Sequence, residues 1–202
     1  METAIAVAVG YLIGSVPFSF LLVRRHGVDL RRAGSGNVGA ANVFRTSGAM
    51  DAAAALCLDV AKGAGAVLVA QQWSTAATTP VAAGMAAIMG HVYPVWLGFR
   101  GGKGVATAAG AFAVLAPGAV LIAGGVFVVA VWVTRYVSVG SIAAAIALAL
   151  ATVVGNVAAP VATGAAVAAL IVVYRHRPNV ERLMAGTERR IGQRSERKSH
   201  SV

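Results

Sequence analysis

Charge is scarce in this sequence, and negative charge scarcer still. Seven acidic residues stand against 17 Lys and Arg in 202. Only 12% of residues are charged, about half the share in soluble domains. That excludes an ordinary water-soluble globule. So few carboxylates also leave no paired-carboxylate metal site in the basic segments. The single cysteine, Cys57, excludes an internal disulfide framework and a cysteine metal site, and reads as a small buried residue. What fills the chain instead is apolar and small: 58% hydrophobic, mean hydropathy +0.76, with Ala, Val and Gly dominant. Small residues let helix backbones approach closely in lipid.

The net charge of +10 does not point to nucleic acid, because the basic residues cluster between long neutral segments. Residues 3–23 carry no charge and lead into Arg24, Arg25, Arg31, Arg32 and Arg45. An apolar stretch from about 50 to 71, interrupted by Asp51, Asp59 and Lys62, reaches the uncharged QQWSTAATTP. Residues 81–97 lead to Arg100 and Lys103, and 105–115 to the uncharged APG. Residues 119–134 lead to Arg135, and 139–154 to the uncharged GNVAAP. Residues 161–174 end in a tail with Arg175, Arg177, Arg182, Arg189, Arg190, Arg194, Arg197 and Lys198.

Every second connection is therefore basic, and the positive-inside rule assigns those to the cytoplasm. The expectation is an all-α integral membrane protein of about seven transmembrane helices, amino terminus outside and carboxyl terminus cytoplasmic. Its bundle would cover 1–174 and a basic tail 175–202. Segments 105–115 and 139–154 fall short of the roughly 20 apolar residues that span a bilayer, so a five-crossing reading with the same ends stays open. The leading segment begins with Glu2 and lacks a convincing A-x-A site, so it reads as a retained span rather than a signal peptide.

The distinctive residues gather in the basic connections. GSGNVGAANVFR, 34–45, contains G-x-G-x-x-G, but RRHGVDLRRA precedes it where a dinucleotide fold needs a buried strand. What remains is a nest of backbone amides from Gly34, Gly36 and Gly39 leading to a helix start, with Ser35, Asn37, Asn42 and Arg45 able to add contacts. A plain turn between spans is the competing reading. FRGGKGVAT fails as a nucleotide P-loop, because Leu97 and Gly104 stand where glycine and Ser or Thr are required. Lys103 among Gly101, Gly102 and Gly104 still suits one phosphate, although a basic anchor at a span end accounts for the charge.

His91 and His176 are candidate bases, with an interfacial or capping role equally open for His91. Ser138 and Ser141 share a helical face and either bind substrate or bond their own helix. Asn179, Arg182 and Glu188 fall on a short amphipathic stretch, where Glu188 fixes Arg182 or is one more solvated charge. His26, His200 and the run after Gly192 read as basic surface for anionic lipid heads. No serine–histidine–acid order and no H-x-x-x-x-D pattern stand out, which argues against a covalent acyl-enzyme. A transporter for a phosphorylated metabolite is the main rival, but no internal repeat is visible and the candidate ligands sit at span ends. A lipid-binding scaffold explains the tail but not the glycines.

Taken together, SGNVGAANVFR, GHVYPVWLGFRGGKGVAT and RYVSVGS followed by NVERLMAGTE resemble the bacterial membrane family of acyl-phosphate:glycerol-3-phosphate acyltransferases, in that family's order and over nearly the whole chain. Ala41 stands where the family usually has threonine, and Arg100 where lysine is common. The resemblance implies transfer of a fatty acyl group from acyl phosphate to the 1-hydroxyl of glycerol 3-phosphate, giving lysophosphatidic acid and phosphate. It implies a bundle of about seven helices in the plasma membrane, open to the cytoplasm, with neither acyl-CoA nor acyl carrier protein as direct donor. Ser35, Lys103 and His176 are then the expected catalytic residues. Gly34, Gly36, Asn37, Gly39, Asn42, Arg45, His91, Gly101, Gly102, Gly104, Ser138, Ser141, Asn179, Arg182 and Glu188 are expected to bind substrate. Neither cofactor nor metal is called for, and the partners are the two substrates and membrane lipids. Oligomeric state is not written in the sequence.

Overall fold

The computed structural model describes residues 1–191. Arg194, Arg197, Lys198 and His200, read above as basic surface, lie outside the described residues. Among the described residues, ten α-helices form in chain order: α1 Glu2–Ser15, α2 Phe18–Arg24, α3 Ala40–Ser47, α4 Ala49–Gln71, α5 Thr78–Val92, α6 Val105–Leu115, α7 Pro117–Thr134, α8 Val137–Val154, α9 Ala159–Arg175 and α10 Arg177–Met184. A 3-10 turn, Val95–Leu97, follows α5.

Among the described residues, five segments are long and apolar enough to cross a membrane: Glu2–Arg24, Ala49–Gln71, Thr78–Leu97, Pro117–Thr134 and Val137–Val154. A sixth appears if α9 and α10, bent by 50° at His176, count as one span. The leading segment is not one straight helix. Pro17 separates α1 from α2, since proline cannot donate the backbone bond a continuous helix needs there. Residues 139–154, one of the two segments that fall short by apolar length, belong to an uninterrupted helix of 18 residues. By contrast α6 has 11 residues, about 16 Å at 1.5 Å each, roughly half the thickness of a hydrocarbon core.

Small residues set the packing. A methyl group on Gly14 of α1 would lie 2.1 Å from the Ala87 carbonyl oxygen of α5. Between α4 and α6, one on Gly110 would lie 1.9 Å from the Val60 oxygen. Both helix pairs therefore meet backbone to backbone, in the manner of small-residue contacts in lipid. The main apolar core runs through Val81, Ile88, Val92, Phe112, Leu148 and Val161, joining α5 to α6, α8 and α9. A second core of Val23, Leu30, Val38, Val43, Ala55 and Leu97 lies beneath the segment between α2 and α3. Helix α7 is the least buried of the spans and presents Leu121, Val128 and Trp132 outward, as a lipid-facing helix does. Cys57 is exposed on α4, contrary to the buried position expected for it.

Candidate active site

Four segments meet around one cavity of about 1460 Å³: the loop from α2 to α3, the loop from α5 to α6, the start of α8, and the chain from the end of α9 to Glu188. The candidate catalytic and binding residues of the sequence line it, apart from Gly34 and Gly102. Sequence separations of more than 150 residues collapse here, because each basic connection leaves the bundle beside the others.

The first loop is built around Asn42. Its buried amide Nδ2 donates toward the carbonyl oxygens of Asn37 (2.9 Å), Ala33 (3.0 Å) and Leu30 (3.2 Å), while its Oδ1 accepts from the Ser35 backbone N–H at 2.8 Å. Asn42 thus holds the loop itself. Gly34 and Gly36 adopt φ of +62° and +72°, and a Cβ on Gly34 would lie 2.2 Å from Asn42 Oδ1. Gly34 thus has both a backbone and a steric reason, and Gly36 the backbone one. The Ser35 side chain is exposed and makes no hydrogen bond to a described residue. Helix α3 starts at Ala40 beside it and carries Arg45 in its last turn, half-buried. Burial and the neighbouring Arg189 and Arg182 depress the Arg45 guanidinium, with Glu188 opposing them, though an arginine stays charged.

The second loop is pinned to the end of α5. Gly101 N–H donates to the Val92 oxygen (3.1 Å) and Gly102 N–H to the His91 oxygen (3.0 Å). Gly104, at φ +86°, turns the chain into α6. Lys103 projects from this loop and its ammonium donates to Asn179 Oδ1. Burial pushes the Lys103 pKa down to about 8; Glu188 opposes the shift, and Arg182, Arg45 and Arg175 add to it. Arg175 reaches the Gly102 oxygen at 3.4 Å and stacks over Tyr93. In sequence Arg175 reads as one more tail charge, and its position next to His176 is the signal that marks it.

Glu188 is the hub of the third side. Its Oε1 accepts from Asn179 Nδ2 (2.7 Å) and Ser138 Oγ (2.9 Å), and its Oε2 from Arg182 Nε (2.7 Å). Burial opposes its ionisation, but these donors outweigh it and hold the carboxyl below its ordinary range. It is no solvated charge. Asn179 and Arg182 lie on α10, whereas Glu188 lies beyond the helix, in a segment tied down by Ile191 N–H to the Arg135 oxygen at 2.8 Å. Ser138 faces this network, while Ser141 bonds its own helix at the Val137 oxygen. His176, buried at the α9–α10 bend, holds its Nδ1 2.7 Å from the Val172 oxygen. A carbonyl can only accept, so that nitrogen carries the proton and Nε2 keeps the lone pair.

His91 is also buried, with Nδ1 3.5 Å from Asp59 Oδ1 and Nε2 against Gly102. Away from the polar end, the cavity continues between apolar helices along Leu56, Val60, Ala109, Val120, Phe127, Ala144, Leu148 and Val172. No group of three or more His, Cys, Asp or Glu placed to hold a metal ion occurs among the described residues.

A lipid-facing helical bundle whose cationic, glycine-walled basin opens into an apolar trough belongs to the class of membrane proteins that handle an anionic head and a hydrocarbon chain together. Comparison with known proteins narrows the class. The family model for glycerol-3-phosphate acyltransferase matches residues 4–186. Curated glycerol-3-phosphate acyltransferases of Geobacter sulfurreducens and a Synechococcus species are 48% and 43% identical, over 94% and 96% of this chain and 98% of their own length. The crystal structure of PlsY, an integral membrane glycerol 3-phosphate acyltransferase, in its glycerol 3-phosphate form superposes with a TM-score of 0.91 at 38% identity, covering 95% of this chain and 96% of that one. Its lysophosphatidic acid form superposes with a TM-score of 0.89 at 37% identity. The chain belongs to the glycerol-3-phosphate acyltransferase family.

Proposed function

We propose that the protein transfers a fatty acyl group from acyl phosphate to the 1-hydroxyl of glycerol 3-phosphate, an early step of phospholipid synthesis. The observation that carries this reading is the continuity of the cavity: one end gathers Ser35, Arg45, Lys103 and Arg182, and the other runs between apolar helices. The glycerol 3-phosphate phosphate binds Ser35, Arg45 and Lys103, with Asn179 and Arg182 closing the far side. The acyl phosphate lays its chain in the apolar trough and its head on the Gly101–Gly104 backbone.

The acceptor hydroxyl attacks the carbonyl carbon, a carbon–oxygen ester bond forms, and the bond to the phosphate oxygen breaks with its electron pair. Phosphate leaves as a stable anion, so the protein has mainly to align the reactants and stabilise charge. Alignment supplies about 7–11 kcal/mol in ideal intramolecular cases, and each preorganised oxyanion donor roughly 3–4 more in hydrolases. The hydroxyl proton passes to a phosphate oxygen of bound substrate, whose second pKa near 6 suits the task. The free lone pair on His176 Nε2 favours a second acceptor in the same basin. We assign seven crossings, with α6 as a short one and α9 as the last, in a bacterial plasma membrane with the cavity facing the cytoplasm.

Purified protein supplied with palmitoyl phosphate and glycerol 3-phosphate should release phosphate and form lysophosphatidic acid. Equal use of palmitoyl-CoA, without prior conversion, would rule out the donor assignment. Impermeant thiol labelling in a Cys57→Ser background checks the topology. Cysteines at Ser74 and Ala158 should react from outside and one at Ser35 should not; the reverse pattern overturns it.

A further inference from the structure

A buried charge cluster lies under the glycine loop, and the reaction described above makes no use of it. Asp59, on α4, is 2% exposed and pairs with Lys62 one turn later, Oδ1 to Nζ 2.9 Å. Lys62 Nζ also donates to the Val16 oxygen at 3.0 Å, at the break that Pro17 makes between α1 and α2. Ser19 Oγ of α2 donates to Asp59 Oδ2 at 3.0 Å. On its remaining side Asp59 faces His91 Nδ1 at 3.5 Å. Two charges inside an apolar helix are costly, and well-packed apolar residues of similar volume often hold a fold as well or better. The cluster's direction is therefore informative. It ends on the loop that carries Lys103.

The His91 ring is the link. A Cβ on Gly102 would lie 2.1 Å from His91 Nε2, and one on Gly101 2.1 Å from the His91 carbonyl oxygen. Ring and backbone of His91 thus form the surface on which Gly101 and Gly102 rest, with the Gly102 N–H bond to the same residue holding them there. A rotation of the ring about χ1 would push the loop outward and displace Lys103 from Asn179.

We propose that Asp59, held by Lys62 and Ser19, is a positioning residue for acyl transfer: it orients His91, and through His91 it sets the Gly101–Gly104 loop and the place of Lys103. This rests on the assignment of Lys103 to phosphate binding. His91 is on this account a support of the loop rather than a proton acceptor, because its Nε2 is covered by Gly102. Alignment on the ångström scale governs rate in a site of this kind, so the cluster acts on the reaction without touching substrate.

The test uses full-length protein in detergent and the double variant Asp59→Leu/Lys62→Met, which removes both charges and keeps bulk. It should melt within a few degrees of the parent, yet lose at least tenfold in kcat/KM for glycerol 3-phosphate. Hydrogen exchange at the Gly101 and Gly102 amides should quicken while α7 exchanges as before. In a Lys103→Ala background the same double substitution should cost less than threefold, since the loop then has no ammonium to place. Parental kcat/KM and parental loop exchange in a folded double variant overturn the proposal, and so does an undiminished loss in the Lys103→Ala background. If the double variant does not fold, Ser19→Ala decides, by raised KM and faster loop exchange for the proposal or by neither against it. Lys103→Ala with parental kcat/KM would instead sink the phosphate assignment itself, and the proposal with it.

Discussion

Asn42 holds the first glycine-rich loop from within, whereas the second, Gly101–Gly104, is held by residues of other helices. In the first, one amide seven residues from Ser35 satisfies the loop's own carbonyls and a backbone N–H. In the second, His91 lies beneath, Arg175 and Asn179 reach in from the far end of the chain, and Asp59 backs His91 from α4. A local frame survives small shifts of the bundle. A frame assembled from several helices reports on all of them, so the second loop is where changes far from the cavity should reach the reaction.

The largest effect should come from removing the hub of the distant frame. Glu188→Ala leaves Arg182 and Asn179 without their buried acceptor. Each charge-assisted bond lost costs about 1.5–3 kcal/mol, so losing those that position Asn179 and Arg182 should cost roughly a hundredfold or more in kcat/KM at 1.4 kcal/mol per decade. Steady-state rates with acyl phosphate check this, and a loss below fivefold would show that Asn179 and Arg182 are positioned without Glu188. Asn42→Ala should cost less, roughly tenfold, since each buried group left unpaired costs about 1–3 kcal/mol but the exposed loop can recruit water. It should raise KM for glycerol 3-phosphate and leave amide exchange at Gly101 and Gly102 unchanged. Faster exchange there would mean that the two frames are one.

The pH dependence separates the loops more gently. Lys103 has its pKa depressed to about 8, so it is charged below that value and loses its proton as pH rises through it. The free-enzyme profile of kcat/KM should therefore fall above about pH 8, well before an unperturbed lysine near 10.4 would titrate. Lys103→Arg should be less active, because a planar guanidinium does not fit a compact ammonium's place, but its profile should stay flat to pH 9. A fall at the same pH in that variant would assign the titration elsewhere. Smallest of all should be Arg100→Lys. Arg100 is exposed and lies outside both frames, so kcat/KM should stay within about twofold.

The contrast between the loops also explains what could be read from sequence. The helical bundle and its alternation of basic and neutral turns were legible because composition and positive charge act along the chain. The first loop was legible too: Asn42 and the glycines it orders are neighbours in sequence. The roles of particular residues were less so. Asn42 reads as a substrate ligand until its amide is seen turned onto the loop carbonyls. Glu188 reads equally as a solvated charge until Ser138, fifty residues away, is found on it. In sequence Asp59 and Lys62 read as interruptions in an apolar stretch, although charges within a span are themselves a signal of function. The contact between Lys62 and the Val16 oxygen, at the break by Pro17, needed the packed helices to be seen.

Binding of glycerol 3-phosphate in the absence of donor, by calorimetric titration of purified protein, tests most directly whether the glycine loops and their lysine form a phosphate site. Loss of one charge-assisted contact costs about 1.5–3 kcal/mol, so folded Lys103→Ala should bind at least roughly tenfold more weakly. Arg100→Lys should bind as the parent does. Parental affinity in Lys103→Ala would contradict the account.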